Sequence, residues 1–247
     1  MVFYTKINNI AEVGANGFDK WMLLDKSKRA VVSGFGANGK LHLGHLANII
    51  SYKILRKKAQ QGKVIISDVG TFFSRKNVIW SDIEKYKEEM INLLRMANIR
   101  SNDLFVESEH LRELFRNMKR VDYETNLASI LTLEEIKIYK FMNMAPLVIL
   151  SADELKYAIL PGVYYFVYKD LLFPFKNTKM SKSVKNINIY IRDAMENKYK
   201  LNDNYFSYLK EYFSTVVKAE NGPENLIRRI SNATTLEEVV SACLNLR

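Results

Sequence analysis

The chain has 247 residues, 48% hydrophobic and 26% charged, a composition that excludes a disordered, collagen-like or wholly coiled-coil protein. No apolar run reaches the roughly 20 residues of a membrane-spanning helix, so no membrane partner is expected, and the single cysteine, Cys243, excludes an internal disulfide and a cysteine metal cage. Lys and Arg number 37 against 27 Asp and Glu, a net charge of +10 that favours an anionic partner.

Residues 1–10 (MVFYTKINNI) lack a basic segment followed by an apolar stretch and a cleavage site. The expected compartment is therefore the reducing cytoplasm. Ala30–Ser33 predicts a buried strand, and Gly34–Gly39 a glycine-rich loop. Leu43–Gln60 predicts a helix that ends at Gly62, and Lys63–Val69 a second strand. Ser81 and Glu84 have capping-box spacing and predict a helix start. Its apolar stripe would be Ile83, Tyr86, Met90, Leu93, Leu94 and Ala97. Leu104–Glu107 predicts a third strand, and Thr132 with Glu135 opens a later helix. Pro146–Leu150 is a fourth apolar run. After Val184 the pattern is mostly helical, with Thr235 and Glu238 as a further cap.

Strands that alternate with helices imply an α/β fold with a Rossmann-like, doubly wound parallel sheet. The expected division is a Rossmann-like domain over residues 1–183 and a short helical appendage over 184–247. A helical insertion is expected around 108–145. Ligands on such sheets bind beyond the carboxyl ends of the strands, where the Gly34–Gly39 segment falls.

Positive charge gathers in three places. Gly36–Ser67 has no acidic residue but carries Lys40, Lys53, Arg56, Lys57, Lys58 and Lys63. Arg112, Arg116 and Arg120 are four apart and share a helical face, with Lys119 beside them. Lys176, Lys179, Lys182 and Lys185 form the third cluster. Each alone reads equally as a solvated surface.

Two short motifs carry chemistry. His42-Leu43-Gly44-His45 follows strand and glycine loop and opens a helix. A helix start offers unpaired N–H groups and the positive end of the dipole, which suit a phosphate. Imidazoles three apart lie on one face there, and the glycine between them permits close approach. Lys179-Met180-Ser181-Lys182-Ser183 supplies two mobile ammonium groups and two hydroxyls, the donors a triphosphate tail needs.

In this order and context the two motifs resemble the His-Ile-Gly-His and Lys-Met-Ser-Lys-Ser signatures of class I aminoacyl-tRNA synthetases. The short separation is similar to the tryptophanyl and tyrosyl subgroup, with the tryptophanyl side nearer. The resemblance covers roughly residues 28–190. It implies that His42 and His45 stabilise the α-phosphate of ATP, while Lys179 and Lys182 hold the β- and γ-phosphates. It implies nucleotide contacts from Gly34, Phe35, Gly36, Asn38, Gly44, Gly162, Met180, Ser181 and Ser183. Ala145-Pro146-Leu147 and Ser151–Leu155 resemble a tryptophanyl segment, which implies substrate contacts from Leu150 and Asp153, with Asp68 on the second strand. Ser151–Glu154 reads equally as a capping box. Arg112, Arg116, Lys119 and Arg120 would meet a tRNA acceptor stem, in a homodimer. Mg²⁺ would travel with the ATP. Ala37-Asn38 replaces the family's Pro-Ser, and Tyr164 and Tyr165 replace an expected Asp-Gln pair. The aromatic run Tyr164–Tyr168 also reads as a core strand or helix. The implied activity is ATP-dependent activation of tryptophan, or next tyrosine, and transfer to tRNA. The alternatives are a paralogue charging a non-tRNA acceptor and a non-catalytic RNA-binding homologue.

Overall fold

The computed structural model describes residues 2–5, 9–10, 14–15, 18–75, 78–110, 158–159, 165–168 and 189–246. Its strands are β1 (Val2–Thr5), β2 (Asn9–Ile10), β3 (Gly14–Ala15), β4 (Ala30–Gly36), β5 (Gln61–Ser67), β6 (Leu104–Val106), β7 (Ala158–Ile159) and β8 (Tyr165–Tyr168). Its helices are α1 (Phe18–Leu23), α2 (Leu43–Lys57), α3 (Val69–Ser74), α4 (Trp80–Met96), α5 (Ile191–Met195), α6 (Asp203–Ala219), α7 (Glu224–Asn232) and α8 (Leu236–Leu244).

The main sheet has the order β3-β2-β7-β4-β5-β6. β7, β4, β5 and β6 run parallel, and β2 and β3 add an antiparallel edge. The chain therefore steps outward from β4 to β5 to β6, then returns to the other side of β4 at β7. That reversal is the topological switch point, and the crevice beyond the carboxyl ends of β4 and β7 is where such sheets bind ligands. The α/β class with parallel strands and C-terminal helices is thus as the sequence pattern predicts. β8 pairs with β1 in a separate antiparallel ladder, Tyr165 opposite Thr5 and Tyr168 opposite Val2. Of the two readings of that aromatic run, strand is the one observed.

Side chains on the sheet alternate with period two. Val31, Val64, Ile66 and Val106 join the main core, while Ala30, Val32, Ile65 and Phe105 form a second cluster. A sheet buried on both faces explains why its strands read as unbroken apolar runs. β4 continues through Gly36, three residues past the expected strand end. β5 lies alongside it as far as Ser67, so Gly34, Phe35 and Gly36 all find ladder partners. Only Ala37–Gly39 is left to turn the chain.

α2 is buried nearly all round from Ile49 to Leu55, because it lies between the sheet and helices α6 and α8. α4 begins at Trp80 with Ile79 as its N-cap and no side-chain cap. The capping box predicted from Ser81 and Glu84 does not form. Trp80 is buried edge-on against Phe72, 5.4 Å between ring centres, so packing sets the cap two residues early, at Ile79, and Ser81 falls inside the first turn. The Thr235–Glu238 box does form, with Thr235 accepting the Glu238 N–H. The Thr132–Glu135 cap and the Pro146–Leu150 strand lie outside the described residues.

Residues 189–246 share one continuous core with the sheet and its helices. Polar anchors on α2 join the two parts. The Ser51 hydroxyl donates to Glu220 Oε1 (2.5 Å), and Lys58 Nζ donates to the Glu220 carbonyl (2.6 Å). Lys53 Nζ, itself buried, donates to the carbonyls of Ala97 and Leu244 (2.5 Å each), at the ends of α4 and α8. A cation suits the negative end of two helix dipoles. Burial, with Lys57 nearby, lowers the Lys53 ammonium to about 8. Among the described residues no helix is long and apolar enough to cross a membrane.

Deeper in α2, Arg56 pairs with Asp103, Nε–Oδ2 at 2.8 Å and an Nη to Oδ1 at 3.1 Å, and the Tyr52 hydroxyl donates to the same Oδ2 at 3.0 Å. The pair is largely buried, with 14% and 6% of the two side chains exposed. Asp103→Ala leaves a guanidinium and a phenol without their acceptor. The expected loss is about 3 kcal/mol, in the range for breaking a buried pair, read as a lower midpoint in urea unfolding.

Candidate active site

β4 delivers the chain to the switch point, and α2 carries it away. Gly36 sits close under α3, where an added Cβ would lie 3.0 Å from Thr71 Oγ1. Gly39 has φ 153°, a backbone conformation open to glycine. These two positions let a tight turn, Ala37–Gly39, replace a longer loop.

The turn ends at His42, the N-cap of α2. Its Nδ1 accepts the Gly44 N–H at 3.1 Å, and Nδ1 of His45 accepts the His42 N–H, also at 3.1 Å. The two histidines thus form a reciprocal capping box in which imidazole nitrogens do what Ser and Glu oxygens usually do. An accepting Nδ1 carries no proton, so each neutral ring keeps its proton on Nε2. The rings lie 3.8 Å apart at 35°, and the Phe35 ring meets His45 edge-on at 5.8 Å. His42 is buried and His45 half-buried. Both rings are therefore fixed as Nε2–H donors at the amino end of a 15-residue helix. That set of neutral donors and a positive dipole end matches an anionic group whose charge grows during reaction.

A second strand of contacts fixes this turn from outside. Leu43 N–H donates to the Ile189 carbonyl and Ile191 N–H to the Leu41 carbonyl, both at 3.0 Å, with His42 bridged to Tyr190. Lys40 Nζ lies 5.8 Å from the centre of the Tyr190 ring.

The other expected site residues divide clearly. Gly34, Phe35, Gly36, Asn38, Gly44, His42 and His45 come together at this end of the sheet. Phe35 is buried in the core, and Gly34 is exposed within the strand. Asp68 is at the carboxyl end of β5, fully buried, with both carboxylate oxygens engaged. Oδ1 accepts the N–H groups of Val69 (2.9 Å) and Ser108 (3.0 Å). Oδ2 accepts the Ser108 hydroxyl (2.5 Å) and pairs with Lys87 Nζ (3.5 Å). It ties β5, β6 and α4 together. Lys179, Met180, Ser181, Lys182 and Ser183 lie outside the described residues. So do Leu150, Asp153, Gly162, Arg112, Arg116, Lys119 and Arg120.

Sequence reasoning missed Glu107, the residue after β6. It is fully buried beside Asp68, and Gly70 N–H donates to its Oε2 at 2.6 Å. The signal was a carboxylate directly after an apolar strand, at the end where ligands bind. It also missed the Ser33 hydroxyl, which donates to Asn48 Oδ1 at 2.5 Å and locks β4 to α2. Nothing in the local pattern marks that pair.

No protein-family model matches the chain, and no curated protein sequence matches it. Solved structures to which it is similar include tryptophanyl- and tyrosyl-tRNA synthetases. A tyrosyl-tRNA synthetase from Archaeoglobus fulgidus complexed with L-tyrosine is 13% identical, with 96% of this chain and 91% of that chain covered and a TM-score of 0.46. A tryptophanyl-tRNA synthetase from Encephalitozoon cuniculi bound to tryptophan is 15% identical, covering 87% and 77% at 0.45. A tryptophanyl-tRNA synthetase from Giardia lamblia is 14% identical, covering 94% and 80% at 0.43. Likeness of this degree carries no argument about substrate or chemistry.

The histidine cap separates structure from chemistry experimentally. His42→Ala removes the acceptor for the Gly44 N–H and is expected to cost about 1 kcal/mol, as for other N-caps. His42→Asn keeps a side-chain oxygen at the cap and is expected to recover most of that loss. Urea unfolding of the two variants checks both.

Proposed function

We propose that the chain activates an amino acid with ATP, tryptophan in the first place and tyrosine next, and transfers the aminoacyl group to tRNA. The observation that carries this reading is the reciprocal histidine cap, which sets two Nε2–H donors at the amino end of α2 beside the switch point. The motif resemblance of His42–His45 and Lys179–Ser183 supports it.

In the first step a carboxylate oxygen of the amino acid attacks the α-phosphorus of ATP. The bond from that phosphorus to the bridging oxygen breaks, and pyrophosphate leaves with the electron pair. No general base is needed, because an α-carboxyl group with a pKa of about 3.5 is already ionised. The requirement is to stabilise negative charge that builds on the phosphoryl oxygens. His42 and His45 donate from Nε2 to those oxygens. Neutral donors suit this task, since their positions are set by the cap before the ligand arrives. Lys179 and Lys182 hold the β- and γ-phosphates and the departing pyrophosphate. Mg²⁺ carried by the ATP phosphates would add to that charge neutralisation. In the second step a ribose hydroxyl of the terminal tRNA adenosine takes the aminoacyl group and AMP leaves. Arg112, Arg116, Lys119 and Arg120 hold the acceptor stem in this proposal, and the active form is a homodimer.

A second reading keeps the adenylation and changes the acceptor to a non-tRNA molecule. The replacement of Asp-Gln by Tyr164-Tyr165, with Tyr165 in a ladder to β1, favours it.

The deciding experiment is amino-acid-dependent exchange of labelled pyrophosphate into ATP, across all twenty amino acids. Exchange with tryptophan or tyrosine is expected. His42→Asn and His45→Asn should each lower kcat/KM about 10²- to 10³-fold, the range for loss of one charge-stabilising donor. Absence of exchange with every amino acid, or full exchange in both variants, overturns the proposal. Charging of total tRNA then separates the two acceptors.

A further inference from the structure

A second feature at the carboxyl ends of the strands has no part in the adenylation chemistry. Gly36 pairs with Ser67 and Ile66 with Val106, so Glu107 follows β6 beside Ser67. The turn Ser67–Thr71 supports the loop in front of the histidines. Ala37 N–H donates to the Ser67 carbonyl (3.1 Å), the Thr71 hydroxyl donates to the same carbonyl (2.5 Å), and Thr71 underlies Gly36.

Two buried carboxyl groups meet in this turn, and neither is exposed at all. The charged groups that face them are few. From α4 comes Lys87, 3.5 Å from Asp68 Oδ2. The short turn that carries Glu107 also holds Glu109, which is exposed, and His110, which stacks on Phe105 at 4.2 Å. One buried-side cation thus stands against two carboxyl groups. Their hydrogen bonds are unequal. Asp68 receives Val69 N–H, Ser108 N–H, the Ser108 hydroxyl and Lys87. Glu107 receives Gly70 N–H on Oε2, with the Ser67 hydroxyl and Val69 N–H as further donors near its carboxyl, none of them charged, and its buried Oε1 lacks a partner in hydrogen-bond geometry among the described residues. Two unneutralised negative charges in one dry turn are costly, and the group with fewer donors is the one that keeps a proton.

We infer that Glu107 is a buried proton switch: protonated, it lets the Ser67–Thr71 turn close under the Gly36–Asn38 loop, and ionised, it repels Asp68 and loosens that support. Burial raises the Glu107 carboxyl to about 7, with the Asp68 charge adding to it, while the Gly70 N–H, the Ser67 hydroxyl and the Val69 N–H pull back only part-way. The sign follows. The native state holds a proton that the unfolded chain has lost above its ordinary carboxyl range of about 4.3. The stability tied to this proton is complete below that range and falls as pH rises through about 7.

The inference does not depend on the adenylation reading, and its test needs no substrate. Glu107→Gln keeps the shape, can still accept the Gly70 N–H and has no proton to lose. The difference in Tm, variant minus wild type, should be small at pH 4, grow as pH rises to about 7 and level off by pH 8. Infrared difference spectra of the wild type between pH 6 and pH 8.5 should show loss of a carboxylic-acid C=O stretch that Glu107→Gln lacks. Lys87→Met leaves both carboxyl groups in place and removes their cation, so it should move the titration midpoint of that band upward. A Tm difference that is flat with pH, or a wild-type spectrum with no such band at pH 6, overturns the switch. A band that survives in Glu107→Gln assigns the proton elsewhere and overturns it equally.

Discussion

Two backbone N–H groups at the start of α2 are closed by two imidazole nitrogens, and most of the site follows from that fact. A helix start needs acceptors for its first N–H groups. Here the acceptors are Nδ1 of His42 and Nδ1 of His45, so the helix fixes the tautomer of both rings. The same contact that begins the helix also aims the protons. Rings free to rotate would lose that orientation and would have to be ordered again when a ligand binds.

α2 extends this constraint through the protein. Its amino end faces the switch point, and its buried middle carries Ser51, Lys53 and Arg56 to partners on the α6–α7 connection, at the ends of α4 and α8, and at Asp103 just before β6. Each is a polar group taken out of water and satisfied by a specific partner, and such groups define one arrangement where apolar contacts tolerate several. The C-terminal helices are therefore part of the frame that holds the histidines. The backbone pairing of Leu41–Leu43 with Ile189–Ile191 closes the same frame from the other side.

The strands and most helices were legible in the sequence for local reasons. Val31, Ile66 and Val106 lie in runs that only a sheet buried on both faces explains. Thr235 and Glu238 have the spacing of a cap and form one. The predicted cap at Ser81 failed because burial of Trp80 against Phe72 outweighs one side-chain hydrogen bond. Gly34–Gly36 read as loop because glycine weakens a strand taken alone. The neighbouring β5 supplies the ladder that keeps those residues extended. The family resemblance implied a ligand contact for Asp68, and in the fold its oxygens serve Val69, Ser108 and Lys87. Ser108 and Lys87 lie far along the chain, and no local pattern announces them.

By itself the sequence determined the alternation of strand and helix, the basic character of the chain and the pairing of two histidines across a glycine at a helix start. These rest on period, composition and spacing, which are local. The tertiary structure alone decided that the histidines cap the helix with Nδ1, that Ile189–Ile191 clamps their turn, and that Glu107 lies buried against Asp68. Each depends on which distant groups meet after the core closes. A buried polar atom has its character set by those partners rather than by its own identity.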